Sequence, residues 1–218
     1  MNKKKKKVSL PNQSMGEEIA NSIIHGIGIA LSIAALVLLV VFSSQRGDVW
    51  QIVSFSIYGA TLVILYLFST LYHGFHNKKV KEFFRLFDYA SIYLLIAGTY
   101  TPVTLTILRG PLGWTVFGII WGLAILGVVK QFVFFHKFQA FSVITYLIMG
   151  WLIVFVIKPL LAEVPIMFFM WMLIGGLSYT LGIIFFIWEK MPYNHSIWHL
   201  FVLGGSIGHF FAFLFYLI

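Results

Sequence analysis

Residues 19–42 read IANSIIHGIGIALSIAALVLLVVF. The stretch carries no charged side chain, and one helix needs ~20 mostly apolar residues to cross a bilayer. It predicts a transmembrane helix, and the pattern recurs. Residues 50–73, 86–108, 114–134, 140–157, 165–187 and 197–217 meet the same requirement, within a chain that is 60% hydrophobic and 10% charged. Seven spans joined by short connections predict an all-α membrane protein, a seven-transmembrane helix bundle. No room is left for a soluble sensor or catalytic domain, so whatever the protein does, the bundle does. Residues 1–16 read as a basic, disordered cytoplasmic tail, and 17–218 as the seven-helix domain.

The net charge of +8 raises nucleic acid as a partner, but the cations lie at helix ends and form no continuous face. They read as topology signals. With the N-terminus inside, the cytoplasmic segments hold Lys3 to Lys7, Lys78, Lys79, Lys81, Arg85, Lys130, Lys137 and Lys190; Arg46, Arg109 and Lys158 fall outside. That division of 12 against 3 among 15 basic residues places the N-terminus in the cytoplasm and, after seven spans, the C-terminus outside. The expected home is the inner (plasma) membrane, with membrane lipids as partners and no nucleic acid. The lysine run resembles the start of a signal peptide, but the first span is long, contains Asn21 and His25, and lacks a convincing cleavage site, so an uncleaved helix is expected. The chain has no cysteine, which excludes disulfides, thiolate zinc ligands and a cysteine nucleophile. No repeat of fixed period occurs. Gly118-Ile-Ile-Trp-Gly122 and Gly204-Gly-Ser-Ile-Gly208 have the small-x-x-x-small spacing that lets membrane helices approach closely.

Against this apolar background a few polar residues stand out: Ser69-x-x-x-His73, Asp88 and His195-x-x-x-His199. Ionisable groups within a membrane span are costly and tend to mark function. His73 closes the second span, Asp88 opens the third, and His195 and His199 open the seventh, so the topology brings all of them toward the cytoplasmic end. Residues four apart share a helix face. His195 and His199 can therefore present two imidazoles to one ion, while Ser69 and His73 project from one face of the second span. Three histidines with an open fourth position match catalytic zinc, whose last ligand is water. An acid such as Asp88 beside that water would orient it or take its proton. His195 also lies in a first helical turn, where the dipole favours the neutral, ligating imidazole.

Taken singly, each histidine reads as well as a cap or an interhelical hydrogen bond; the shared depth is what favours a metal site. Ser69 is the weakest member, since intramembrane serines often bond their own helix's carbonyls. His76 competes with His73 for the ligand role but falls in a basic loop, and His136 in another such loop reads as solvated. His209 lies too deep for the same ion and is expected to bond a neighbouring helix. Glu18, Asn21 and His25 share a face at the start of the first span. They read either as support behind the ligands, as a lipid-headgroup contact, or as plain interfacial caps.

These residues resemble the hemolysin III family, the bacterial branch of the progestin and adipoQ receptor superfamily. The resemblance covers nearly the whole chain: Glu18-x-x-Asn21-x-x-x-His25, then Ser69-x-x-x-His73, Asp88, and His195-x-x-x-His199. It implies that His73, His195 and His199 bind zinc, with Asp88 and Ser69 close to the water that completes the shell. It also brings in the alkaline ceramidases, superfamily members that hydrolyse lipid amides, whereas the bacterial family's name points to cytolysis. The leading expectation is a zinc-dependent lipid amide or ester hydrolase in which Asp88 handles the proton and Ser69 supports the oxyanion or His73. Two alternatives stand beside it. One is a membrane-active or pore-forming cytolysin, which would call for a polar stripe along most of a helix. The other is a non-catalytic regulator of membrane homeostasis, in which zinc, with Asp88 as fourth ligand, clamps helices together.

Overall fold

Helix α1 (Met15–Arg46) shows how the chain sorts its residues between lipid and interior. Ile19, Ile23, Ile27 and Leu31, four apart, are exposed, while the buried stripe is Asn21, His25, Gly28, Ser32, Ala35, Leu39 and Ser43. Apolar residues face outward and polar or small ones inward, the reverse of a soluble amphipathic helix. In lipid there is little hydrophobic gain from burying an isoleucine, so close packing and interhelical hydrogen bonds govern which face turns in.

The computed structural model describes residues 13–134 and 139–218. The N-terminal lysine run, His136 and Lys137 therefore lie outside the described residues. Among these, seven helical spans are long and apolar enough to cross a membrane, and no strand occurs. After α1 come α2 (Val49–Gly74), α3 (Lys78–Pro102), α4 (Pro111–Phe134), α5 (Gln139–Trp151), the short α6 (Ile157–Glu163), α7 (Ile166–Ile187) and α8 (Asn194–Tyr216). Helices α5 and α6, joined by a 3₁₀ turn (Leu152–Val156), make the fifth span.

The helices run further than their apolar cores. Helix α1 starts at Met15, two residues before the expected tail boundary, because Ser14 and Glu17 form a reciprocal capping box. The largest difference is at the third span, where the basic stretch expected to be a loop is helical from Lys78. Asn77 caps it by accepting from the Lys79 and Val80 amides at 3.1 and 3.4 Å. Asp88 consequently sits three turns into α3 instead of opening it, and Lys81 is carried into the bundle, where it is buried.

The break in the fifth span has a local cause. Pro159 can give no amide hydrogen to the Phe155 carbonyl, and its ring crowds that position. Tyr100 of α3 satisfies backbone groups at the break: its hydroxyl accepts from the Ile153 amide at 2.8 Å and donates to the Met149 carbonyl at 2.9 Å. Unpaired backbone groups cannot be left in hydrocarbon, which is why a buried tyrosine stands there.

The two glycine spacings behave differently. A Cβ on Gly208 would lie 3.0 Å from the Gly175 Cα, so α7 and α8 touch backbone to backbone. Gly118 and Gly122 have nothing within 4 Å of such a Cβ, so that pair mediates no helix contact among the described residues.

The distribution of basic residues predicts the orientation. A reporter fused after Ile218 is expected outside the cell, and one inserted in the 75–77 turn is expected in the cytoplasm. The reverse pattern would move the site described below to the other leaflet.

Candidate metal centre

Four helix ends meet at one end of the bundle: the start of α1, the end of α2, and the starts of α3 and α8. The approach to α8 is set by its connection to α1. Tyr193 adopts the left-handed conformation, φ 56°, which is uncommon for a residue with a side chain. Its amide donates to Glu17 Oε1 at 2.8 Å, and Asn194 Nδ2 donates to the Phe185 carbonyl at 3.1 Å. These contacts fix where α8 starts, and with it His195 and His199.

The structure brings His73, His195 and His199 together. Each offers one ring nitrogen, and the three nitrogens lie within 4.8 Å of one another. The ring centroids are 5.1 Å apart for His73 and His195, 5.0 Å for His73 and His199, and 4.5 Å for His195 and His199. His73 Nε2 and His199 Nδ1 are buried and have no hydrogen-bond partner among the described residues. Leaving such an atom unpaired in an apolar interior costs about 1–3 kcal/mol. A metal ion held by the three rings would satisfy His73 Nε2, whose partner nitrogen is taken by Glu18, and an all-imidazole donor set suits zinc.

The far side of His73 is also occupied. Its Nδ1 lies 2.7 Å from Glu18 Oε2, and Lys81 Nζ lies 2.8 Å from the same oxygen. Lys81 also donates to the Tyr72 carbonyl at 3.0 Å. With the proton on Nδ1, donated to the carboxylate, the Nε2 lone pair is free for a metal. This is the usual way a carboxylate orients a ligating histidine and raises its basicity. Asn21 ties α1 to α8: its Oδ1 accepts from Ser196 Oγ at 2.6 Å. His25 stacks on His199 at 3.6 Å with planes 18° apart, and meets Tyr66 edge-on at 5.0 Å. The polar face of α1 thus packs behind the histidines.

Glu18→Gln is expected to weaken zinc binding by about 10–100-fold, the usual cost of losing such an outer partner. Competition with a calibrated chelator measures it, and unchanged affinity would remove Glu18 from the site.

Asp88 and Ser69 lie beside the histidines without joining the three-nitrogen group. Both line a cavity that also touches His195 and His199. The cavity follows the third span from Asp88 to Val103 and α8 from His195 to His209, a depth of about 22 Å along the third span. Its walls are mainly apolar, and Asp88 is the one carboxylate that lines it among the described residues.

The other histidines stand apart. His76 is exposed and lies 3.0 Å from the Met15 sulfur. His209 pairs with the Met172 carbonyl at 3.2 Å, the interhelical bond its depth predicted. Lys81 and Ser196 were not singled out in the sequence. Lys81 is one cation in a basic run, and its pairing with Glu18 spans two helices, so no local spacing signals it. Ser196 had a visible cue in its place beside His195.

The chain matches one family model and is similar to several known proteins. Residues 13–210 match the family model described as Haemolysin-III related. The chain is 51% identical over 212 residues to "Hemolysin-3" of Bacillus cereus, covering 97% of each chain. It is 49% identical over 200 residues to "Hemolysin-3 homolog" of Bacillus subtilis (strain 168), covering 92% of this chain and 94% of the relative. It is also 30% identical over 207 residues to the human "Monocyte to macrophage differentiation factor", covering 90% and 82%. A multi-pass membrane protein with these motifs and these relatives belongs to the hemolysin III family, the bacterial branch of the progestin and adipoQ receptor superfamily.

Proposed function

We propose that the chain is a zinc-dependent hydrolase of lipid amide or ester bonds, working at the cytoplasmic end of its bundle. The observation that carries this reading is a three-histidine donor set beside a deep apolar cavity whose polar end holds a carboxylate outside that set. His73, His195 and His199 would hold the metal. Bound there, zinc supplies Lewis acidity and lowers the pKa of a water toward neutrality, which is the chemistry hydrolysis needs.

The protein's own residues do the rest. Asp88 accepts the proton of the attacking water and returns it to the leaving amine or alcohol as the acyl bond breaks. Ser69, which lines the cavity with Asp88, supports the oxyanion or His73. Glu18 keeps the His73 proton on Nδ1, and Lys81 holds Glu18. The apolar walls take the acyl chain and exclude water.

Two observations weigh against the alternatives. A structural clamp would use Asp88 as a fourth ligand, and Asp88 lies outside the donor group. The relatives' name carries the cytolysin reading, but the cavity's walls are mainly apolar beyond the histidine cluster, whereas a pore requires a polar lining from end to end. The test is release of free fatty acid by the purified protein in vesicles holding an N-acyl lipid amide and a phospholipid. Release that stops with chelation and returns with zinc supports the reading, and no release from either lipid overturns it.

A further inference from the structure

Two walls of the cavity lack a side chain at the centre of the face that lines it. On α7, Phe169, Leu173, Gly176, Thr180 and Ile183 all line the cavity. They are spaced four and three apart, so they form one helix face with Gly176 in its middle. On α5, Val143, Leu147 and Gly150 line it with the same spacing. Trp151, next to Gly150, donates its indole hydrogen to Thr180 Oγ1 at 3.1 Å, one turn from Gly176. The two faces are therefore turned toward each other. A Cβ added to Gly150 or to Gly176 would meet nothing within 4 Å, whereas one on the adjacent Gly175 would collide with His209 of α8. Gly175 serves helix contact; the other two leave space that no helix fills. Glycine weakens a helix interior, so the open space is what these two positions supply.

Both gaps lie well away from the polar end. A Cβ on Gly175 would lie 2.9 Å from the Gly205 carbonyl, and one on Gly208 would lie 3.0 Å from the Gly175 Cα. Gly205 and Gly208 are six and nine residues beyond His199, about 9–14 Å along α8, and Gly176 adjoins Gly175. The Gly150 carbonyl accepts from the Tyr100 hydroxyl at 3.0 Å, and Tyr100 is twelve residues beyond Asp88, about 18 Å along α3. An extended hydrocarbon chain advances about 1.25 Å per carbon, given bonds of about 1.5 Å. A chain whose polar end lies at the histidines passes these glycines from about its eighth carbon onward.

We infer that Gly150 and Gly176 set the length of acyl chain the cavity admits, keeping its deeper half open to chains of about 16 carbons. A larger side chain at either position projects into the cavity from the centre of its wall and stops the chain there. The polar end and the space for the first carbons are left as they were. The inference rests on the reading of the cavity as an acyl-chain site, and does not require turnover.

The test is equilibrium binding of hexadecanoate and octanoate to the purified full-length protein in nanodiscs, with each acid's concentration expressed per lipid so that partition into the bilayer cancels. The wild type is expected to bind both. Gly150→Leu and Gly176→Leu are expected to weaken hexadecanoate binding by about tenfold or more, the effect of overfilling a packed space, and to leave octanoate binding within about twofold. Gly118→Leu, at an equally open glycine that does not line the cavity, is expected to change neither. If leucine prevents folding, the double variant Gly150→Ala/Gly176→Ala carries the same comparison. Unchanged hexadecanoate binding in the variants, or equal losses for the two acids, overturns the inference while leaving the acyl-chain site standing. If neither acid binds the wild type, the acyl-chain reading falls and takes the inference with it.

Discussion

Asp88→Asn is expected to leave zinc in the protein and to lower lipid hydrolysis by ~10²-fold or more, the usual worth of a general base. The two side chains have nearly the same shape, and an amide can still hydrogen-bond. It cannot take a proton from water. Asp88 lies outside the three-nitrogen group, so its replacement should not disturb the donors. Fatty-acid release and metal content, measured on the same preparation, separate the outcomes. Loss of metal would make Asp88 a ligand and the site a clamp; full activity would remove Asp88 from the chemistry. Haemolysis by the same variant is informative too, since unchanged lysis would show that any cytolytic effect is independent of this carboxylate.

The second large effect is expected from His199→Ala. One of three donors disappears, together with the ring on which His25 stacks at 3.6 Å. Zinc content should fall from about one per chain to background, as expected for a site of three imidazoles reduced to two. The melting temperature should fall by about 10 °C, because a tightly held ligand contributes several kcal/mol to the folded state. Chelation should reproduce most of that fall in the wild type and add little in the variant. A variant that keeps its zinc would show that the metal, if any, sits elsewhere.

The parts of the molecule that were legible in the sequence are those set by local pattern. Charge-free runs such as 19–42 mark the spans because lipid tolerates little else. His195 and His199 declare a shared face through their spacing. Antiparallel spans then bring His73 to the same end. What local pattern does not carry is pairing across helices. Lys81 reads as a loop cation, yet Asn77 caps a helix that turns it inward to Glu18 at 2.8 Å. Once Lys81 neutralises the carboxylate, burying both becomes tolerable. Asp88 was expected to open its span, and it lies three turns in because α3 begins two turns earlier than the basic stretch implied. The glycine pairs make the same point: identical spacing yields a tight contact at Gly208 and none at Gly118 and Gly122. Spacing states what a helix face permits, and the neighbouring helix decides whether it is used.

The central claim, that three histidines from two helices form a zinc site with one position open, is tested most directly by X-ray absorption at the zinc edge of the purified wild-type protein. The account predicts about one zinc per chain, bound by three imidazole nitrogens and one oxygen at about 2.0–2.1 Å. Absence of zinc, or a shell without imidazole, would contradict it.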